Sequence, residues 1–329
     1  MNKGNFIQRN FAKCRNFAPM KQNHPRIEKL VSKHIDKKIE PTPPVSTFQI
    51  RSVTRAFTYL GPIFPKTMAQ LAYRIFTTPR WRAKHTRTDA VIDAAKVVDF
   101  SFREHTVKLY EWGSAGKPII LLAHGWESRG TALRMFVNPL VEQGYRVVAY
   151  DAIGHGDSSG KGNTISTNAK TITAIIKHYG GIYGAIGHSF GCSSTVYALQ
   201  YVDTTLHIEK MVFLAVPHRT KRIIEGFFNY IQAPERVKQA FYTKLEMIYG
   251  RSVDAVDVAH AHDQVNIGAL LLIHDSQDEV TSIEAAERVV ENWQNAKLLV
   301  TEGYGHFRIA KNPDVIKRIV DFVGEKVLV

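Results

Sequence analysis

The sequence predicts an α/β protein: a mostly parallel sheet with helices on both faces, a helical extension before it and a helical insertion within it. Three observations carry this expectation. From about residue 95, short apolar runs alternate with segments of helical period, the order a doubly wound sheet requires. The run PIILLAHG, beginning at Pro118, is apolar without a polar alternate, as a strand covered on both faces must be. A chain of 329 residues with 44% hydrophobic and 22% charged residues can bury one large core and still carry an appendage.

Taken in order, KVVDFSF and TVKLYEW, on either side of Glu104-His105, read as an antiparallel hairpin ahead of the PIILLAHG strand. TALRMFVNPLVEQG reads as a helix ending at Gly144, followed by the strand YRVVAYD. A helix near 164–179 precedes the strand IYGAIGH, and a helix from 190 to about 202 precedes KMVFLAVP. The alternation breaks over about 217–262, where IIEGFFNYI and PERVKQAFYTKLEMIYG are amphipathic and helical. It resumes with ALLLIHD, the helix SIEAAERVVENW, the strand AKLLVTEG and a last helix from about Asp314 to Lys326.

The net charge of +13 is concentrated at one end: residues 1–90 hold 18 Lys/Arg against 4 Asp/Glu, and the remainder is nearly neutral. Residues 1–47 are polar and basic and end in EPTPPVS, whose prolines forbid helix; they read as a mobile leader. The composition resembles that of an organelle transit peptide, and an over-extended start, with Met20 as an internal start, accounts for it equally. Residues 48–92 read as a separate extension of two short amphipathic helices, with Ile50, Val53, Phe57 and Leu60 at helical spacing, then Met68, Leu71, Ala72, Ile75 and Phe76. Two readings of 48–88 follow: packing on the main domain, residues 93–329, or peripheral contact with an anionic membrane surface. No stretch approaches the ~20 apolar residues of a membrane-spanning helix. Cys14 and Cys192 offer no disulfide framework, so a reducing, cytoplasmic setting is the expectation, with membrane-peripheral placement as its variant.

Gly187-His188-Ser189-Phe190-Gly191 matches G-x-S-x-G between an apolar strand and a helix, the context in which that motif presents a serine nucleophile. A serine hydroxyl needs a base to take its proton, and the base needs an acid to orient it. His306, in GYGHF after the strand AKLLVTEG, is the candidate base, and Asp278, in HDSQDEV after ALLLIHD, the candidate acid. Asp275 and Glu279 are rivals for the acid. Each group falls at the carboxyl end of a parallel strand, the edge where such sheets build their sites. Backbone N–H groups of Trp126 and Phe190 are the candidate oxyanion donors. His124, Gly125, His188, Phe227 and Phe228 are candidates for the pocket wall, His124 and His188, with His155 and His274, being scaffold or wall rather than bases. No Cys/His cluster has ligand spacing, so neither metal nor cofactor is expected.

These pieces resemble the α/β-hydrolase superfamily: HGW at 124–126, DAIGHGDS at 151–158, GHSFG at 187–191, HDSQDEV at 274–280 and GYGHF at 303–307. The second is similar to that of lysophospholipase- and monoglyceride-lipase-like members, where it is a structural loop. The resemblance spans about 95–327. It implies the α/β-hydrolase fold, a Ser189–His306–Asp278 triad and a lid at about 217–262. The expectation is a serine esterase acting on a small-molecule ester with an apolar acyl or aromatic part. Thioesterase, amidase, C–C hydrolase and acyltransferase use the same triad, and a non-catalytic scaffold would keep the same fold. Serine at 189 speaks against the aspartate-dependent members. The basic N-terminus alone is a weak argument for a nucleic-acid partner, since no motif accompanies it.

Overall fold

The computed structural model describes residues 25–30, 47–84, 88–217 and 219–325. Nine strands among them form one sheet: β1 (Ile27–Lys29), β2 (Lys96–Phe102), β3 (His105–Trp112), β4 (Ile119–Ala123), β5 (Arg146–Tyr150), β6 (Gly184–His188), β7 (His207–Leu214), β8 (Asn266–Asp275) and β9 (Ala296–Thr301). The order across the sheet is β1-β9-β8-β7-β6-β4-β5-β3-β2. Pairing is antiparallel only for β2 with β3 and β3 with β5. This is the α/β-hydrolase arrangement that the sequence predicts.

β4 explains why the sheet has two cores. All five of its residues are buried, and they alternate between layers. Leu121 and Ala123 belong to one apolar cluster; Ile120 and Leu122 belong to the other. The first layer contains the helices α1 (Thr47–Leu60), α2 (Pro65–Thr77), α3 (Ile165–His178), α4 (Phe190–Tyr197), α5 (Thr220–Ile231), α6 (Glu235–Tyr249) and α7 (Glu284–Asn292). The second is closed by α8 (Pro313–Gly324), through Val315, Ile319 and Val323, together with the turn of helix Val137–Glu142. α8 starts where it does because the Asn312 side chain accepts the amides of Asp314 and Val315, with Pro313 at the first helical position.

The order of connection reverses at β4: β5 lies on one side of it and β6 on the other. The loops leaving the carboxyl ends of β4, β5 and β6 therefore diverge around a crevice, the place where open α/β sheets take their ligands.

The extension packs on the insertion. α5 and α6 lie between β7 and β8, and α2 runs along α6. Their joint is aromatic: Phe241 meets Phe76 at 5.6 Å, Phe228 at 4.9 Å and Tyr73 at 6.5 Å between ring centroids. Phe57, Met68, Ala69 and Ala72 are buried in the same cluster. Packing on the main domain is thus the outcome for the inner faces of both helices.

Two segments depart from the expectation. TALRMFVNPLVEQG is not one helix but a 3₁₀ stretch, Gly130–Phe136, followed by α-helix from Val137 to Glu142. Pro139 has no amide hydrogen to offer the preceding turn, which breaks the ladder there. Most of the leader lies outside the described residues, but Ile27–Lys29 is a parallel edge strand on β9 rather than mobile chain. Leu298 N–H donates to the Arg26 carbonyl and Leu30 N–H to that of Val300, both at 2.8 Å, and Arg318 pairs with Glu28. The strand satisfies a sheet edge that would otherwise be open.

Phe241→Ala removes the ring common to these contacts. It should cost about 3–5 kcal/mol in urea unfolding, and a change below about 1 kcal/mol would show that the joint closes over the loss.

Candidate active site

Ser189 sits between β6 and α4 with φ 49° and ψ −109°, a left-handed conformation that non-glycine residues rarely adopt. The turn is held by its backbone: Ser189 N–H donates to the Leu214 carbonyl at 2.9 Å, and Cys192 N–H donates to the Ser189 carbonyl at 3.0 Å. Gly191 is required by the next layer, since a Cβ there would lie 2.1 Å from the Ala123 carbonyl oxygen. The start of α4 is thus pressed against the end of β4, bringing the Phe190 amide close to the loop that carries Trp126.

That loop is pinned on three sides. His124 is fully buried; its Nδ1–H donates to the Gly125 carbonyl at 2.7 Å, and its Nε2 accepts the Ala152 amide at 2.9 Å. Burial depresses its pKa to about 4, so it is neutral at physiological pH. Asp151 Oδ1 accepts the Gly130 amide at 2.7 Å, while Oδ2 accepts Asp157 N–H at 2.8 Å and the Tyr110 hydroxyl at 2.9 Å. The third tie comes from the extension: Arg80 grips both carboxylate oxygens of Glu127, at 2.8 and 2.6 Å, and its backbone amide joins them at 2.8 Å. Glu127 itself has φ 56°. The Trp126 ring meets Phe190 edge-on at 5.3 Å and His155 at 4.9 Å, so the two candidate oxyanion donors belong to residues in direct contact.

His306 lies in the helical turn Gly305–Arg308 after β9, and Asp278 lies in the loop after β8. Register joins them, because Asp275 pairs with Thr301 at the ends of the two strands. His306 Nδ1–H donates to Asp278 Oδ2 at 2.8 Å, and both side chains are nearly inaccessible. Asp278 Oδ1 accepts the amides of Val280 and Thr281 at 2.8 Å each, and Thr281 O–H donates to Oδ2 at 2.9 Å. Burial opposes ionisation of Asp278, but the His306 bond, the nearby imidazoles and the Thr281 amide outweigh it and lower its pKa to about 2.

Neither rival acid is in this contact. Asp275 is fully buried and spends its oxygens on Thr301 O–H, at 2.7 Å, and on the amides of Tyr304 and Gln277, at 3.0 Å each. It shapes the loop that carries His306. Glu279 is exposed.

His188 links the serine turn to the imidazole. Its Nε2–H donates to the His306 carbonyl at 2.8 Å, and the two rings stand 4.9 Å apart. Burial, with His306 beside it, depresses its pKa to about 3, which keeps it neutral. Gly125 faces it so closely that a Cβ would fall 2.5 Å from His188 Nδ1. Among the described residues the Ser189 hydroxyl makes no hydrogen bond to the imidazole, and Ser189 remains partly exposed. Such bonds are often long in free enzymes and tighten around substrate.

Three of the candidate pocket residues take other positions. His124 has both ring nitrogens occupied inside the scaffold, His188 is a buried strut, and Phe228 is 3% exposed within the joint between insertion and extension. Phe227 is half-buried against Phe76, at 5.2 Å. Burial keeps both histidines neutral, and Phe228 is covered because its ring is apolar. Thr281, which ties carboxylate to imidazole, is absent from the sequence-based candidates. Its signal is the spacing Asp278-x-x-Thr281, in which an aspartate caps the amides two and three residues on.

The description "Alpha/beta hydrolase family" belongs to a family model that matches residues 120–318. Among curated proteins, a non-heme haloperoxidase of Rhodococcus erythropolis is 25% identical over 251 residues, 63% of this chain and 91% of that one. A bifunctional esterase/perhydrolase of Acinetobacter calcoaceticus is 29% identical over 111 residues, 32% of this chain and 40% of that one. An esterase of Pyrococcus furiosus superposes with a TM-score of 0.54 at 21% identity, covering 75% of this chain and 97% of its own; that likeness is one of fold. With the sheet order, the reversal at β4 and a family match over more than half its length, the chain belongs to the alpha/beta hydrolase family.

Proposed function

We propose that the protein hydrolyses carboxylic esters with an apolar acyl or aromatic part, using Ser189 as nucleophile, His306 as base and Asp278 as the acid that orients it. The observation that carries this reading is the 2.8 Å bond from His306 Nδ1 to Asp278 Oδ2, in a site where His188, the neighbour of a serine held at φ 49°, bonds the His306 carbonyl. With Nδ1 committed to the carboxylate, Nε2 is the nitrogen left to take the serine proton.

Ser189 Oγ attacks the ester carbonyl as His306 removes its proton. The tetrahedral oxyanion is met by the backbone amides of Phe190 and Trp126, donors of a type typically worth about 3–4 kcal/mol each in the transition state. The imidazolium then protonates the leaving alcohol, and water removes the acyl group by the same path. Asp278 stays ionised throughout, because its depressed pKa keeps the negative charge facing the imidazolium. The bifunctional esterase/perhydrolase among the relatives is in keeping with an ester substrate.

Turnover of p-nitrophenyl esters of increasing acyl length tests the reading and reports how deep the acyl site is. Ser189→Ala should abolish it in a folded protein; retained turnover would move the nucleophile. Asp278→Asn should lower kcat by about four orders of magnitude. Asp275→Asn should instead cost about 1–3 kcal/mol of stability, since it leaves a buried hydrogen-bond partner mismatched; the reverse ranking would transfer the role of acid.

Acid stability supplies a second check. The folded-state pKa of Asp278 is depressed, so its contribution to stability is complete above the ordinary carboxylate range and is lost as pH falls toward about 2. Unfolding followed between about pH 4 and pH 2 should show a smaller stability loss in Asp278→Asn than in the wild type. Equal losses would mean that the carboxylate is not held ionised by this network.

A further inference from the structure

α1 and α2 each have a second face that neither the insertion nor the sheet covers. At the turn between them Tyr59 is 71%, Leu60 45%, Ile63 66% and Phe64 54% exposed. Leu71 and Ile75 continue outward on α2, about two and three turns beyond Phe64 on the same side of the helix. Arg51, Arg55 and Tyr59 are spaced by four on α1, while Arg74 borders the apolar stripe of α2 and Lys66 lies exposed in its first turn. Residues 47–84 hold seven Lys/Arg and no Asp/Glu. Among the described residues none of Arg51, Arg55, Lys66 and Arg74 has an acidic partner within salt-bridge distance.

We infer that this hairpin is a docking surface for an anionic lipid bilayer. Two properties argue for lipid over the alternatives. Large apolar side chains at a helix turn are stable in water only at a cost, which insertion at the headgroup–acyl boundary removes. The cations around them, which have no acidic partner among the described residues, match the negative surface that would surround an inserted tip. A nucleic acid would use the charges but leave Ile63 and Phe64 in water. No helix among the described residues is long and apolar enough to span a membrane, so the contact is one of lying on the surface.

The surface is joined to the candidate site. α2 packs on α6, where Lys244 sits 5.0 Å over the Tyr73 ring and exposed Ile248 lies one turn further on. Arg80, just past the end of α2, clasps Glu127 beside Trp126. A bilayer against the hairpin would therefore lie at the rim of the crevice. The inference concerns binding and stands apart from the catalytic assignment.

Co-sedimentation of the full chain with vesicles tests it, comparing phosphatidylcholine alone with phosphatidylcholine mixed with phosphatidylglycerol. Binding should require the anionic lipid and weaken with salt. Arg51→Gln/Arg55→Gln/Arg74→Gln should weaken it by about fivefold per charge removed. Ile63→Ser/Phe64→Ser should reduce it by at least tenfold, with an unchanged unfolding midpoint. Equal binding to both vesicles, or variants that bind like the wild type, would overturn the inference. So would RNA or DNA binding without vesicle binding, or a dimer in sedimentation velocity that Ile63→Ser/Phe64→Ser dissociates without any effect on lipid.

Discussion

The bond between His306 Nδ1 and the Asp278 carboxylate depends on the sheet more than on either residue. It joins two loops that leave neighbouring strands, and β8 and β9 end in register at Asp275 and Thr301. Asp275 sets the span by holding Thr301 and the Tyr304 amide, so the loop carrying His306 starts from a fixed point. Asp278 is fixed in turn by two amides and a threonine hydroxyl. A carboxylate so supplied with donors keeps its charge in a buried place, where an unpaired one would neutralise. The charge gives the imidazole one orientation and one tautomer, and the chemistry proposed for Ser189 follows from that.

The neutral histidines make up the frame around this charged pair. His124, His155 and His188 are each pushed well below the usual imidazole range, first by burial. Kept neutral, His124 and His188 serve as rigid two-ended connectors: His124 ties the β4 loop to the β5 loop, and His188 ties the serine strand to the His306 turn. A protonated ring at His188 would set a like charge beside the imidazolium that the proposed reaction forms. The extension adds to the same frame from outside, since Arg80 fixes Glu127 next to Trp126. The N-terminal helices are therefore structural neighbours of the site as well as carriers of an exposed apolar tip.

Much of this was legible in the sequence because it depends on periodicity. Strands buried on both faces are continuously apolar, as PIILLAHG proved to be, while ALLLIHD and AKLLVTEG keep enough apolar residues to read as strands although Lys297 of the latter is exposed. The serine turn was legible for a similar reason: only glycine fits where α4 meets Ala123. What stayed hidden depends on position in space. Ile27–Lys29 has a single apolar residue and a partner some 270 positions away, so nothing local marks it as a strand. Asp275 and Asp278 are both plausible acids by spacing, and only the folded contacts show that Asp278 meets His306 while Asp275 holds Thr301 and the Tyr304 amide. Phe228 shows that an apolar stripe states that a face is covered without saying by what; its ring meets Phe241 of the same insertion, which in turn packs on Phe76 of the extension.

The central claim is that one serine is activated by one imidazole held by one carboxylate. Mapping of the adduct formed with a fluorophosphonate tests it most directly, since that reagent reports on activation of the hydroxyl without need of the natural substrate. The account predicts a single modification, on Ser189, that forms far more slowly in His306→Ala and in Asp278→Asn. Modification at another residue, or an undiminished rate in both variants, would contradict it.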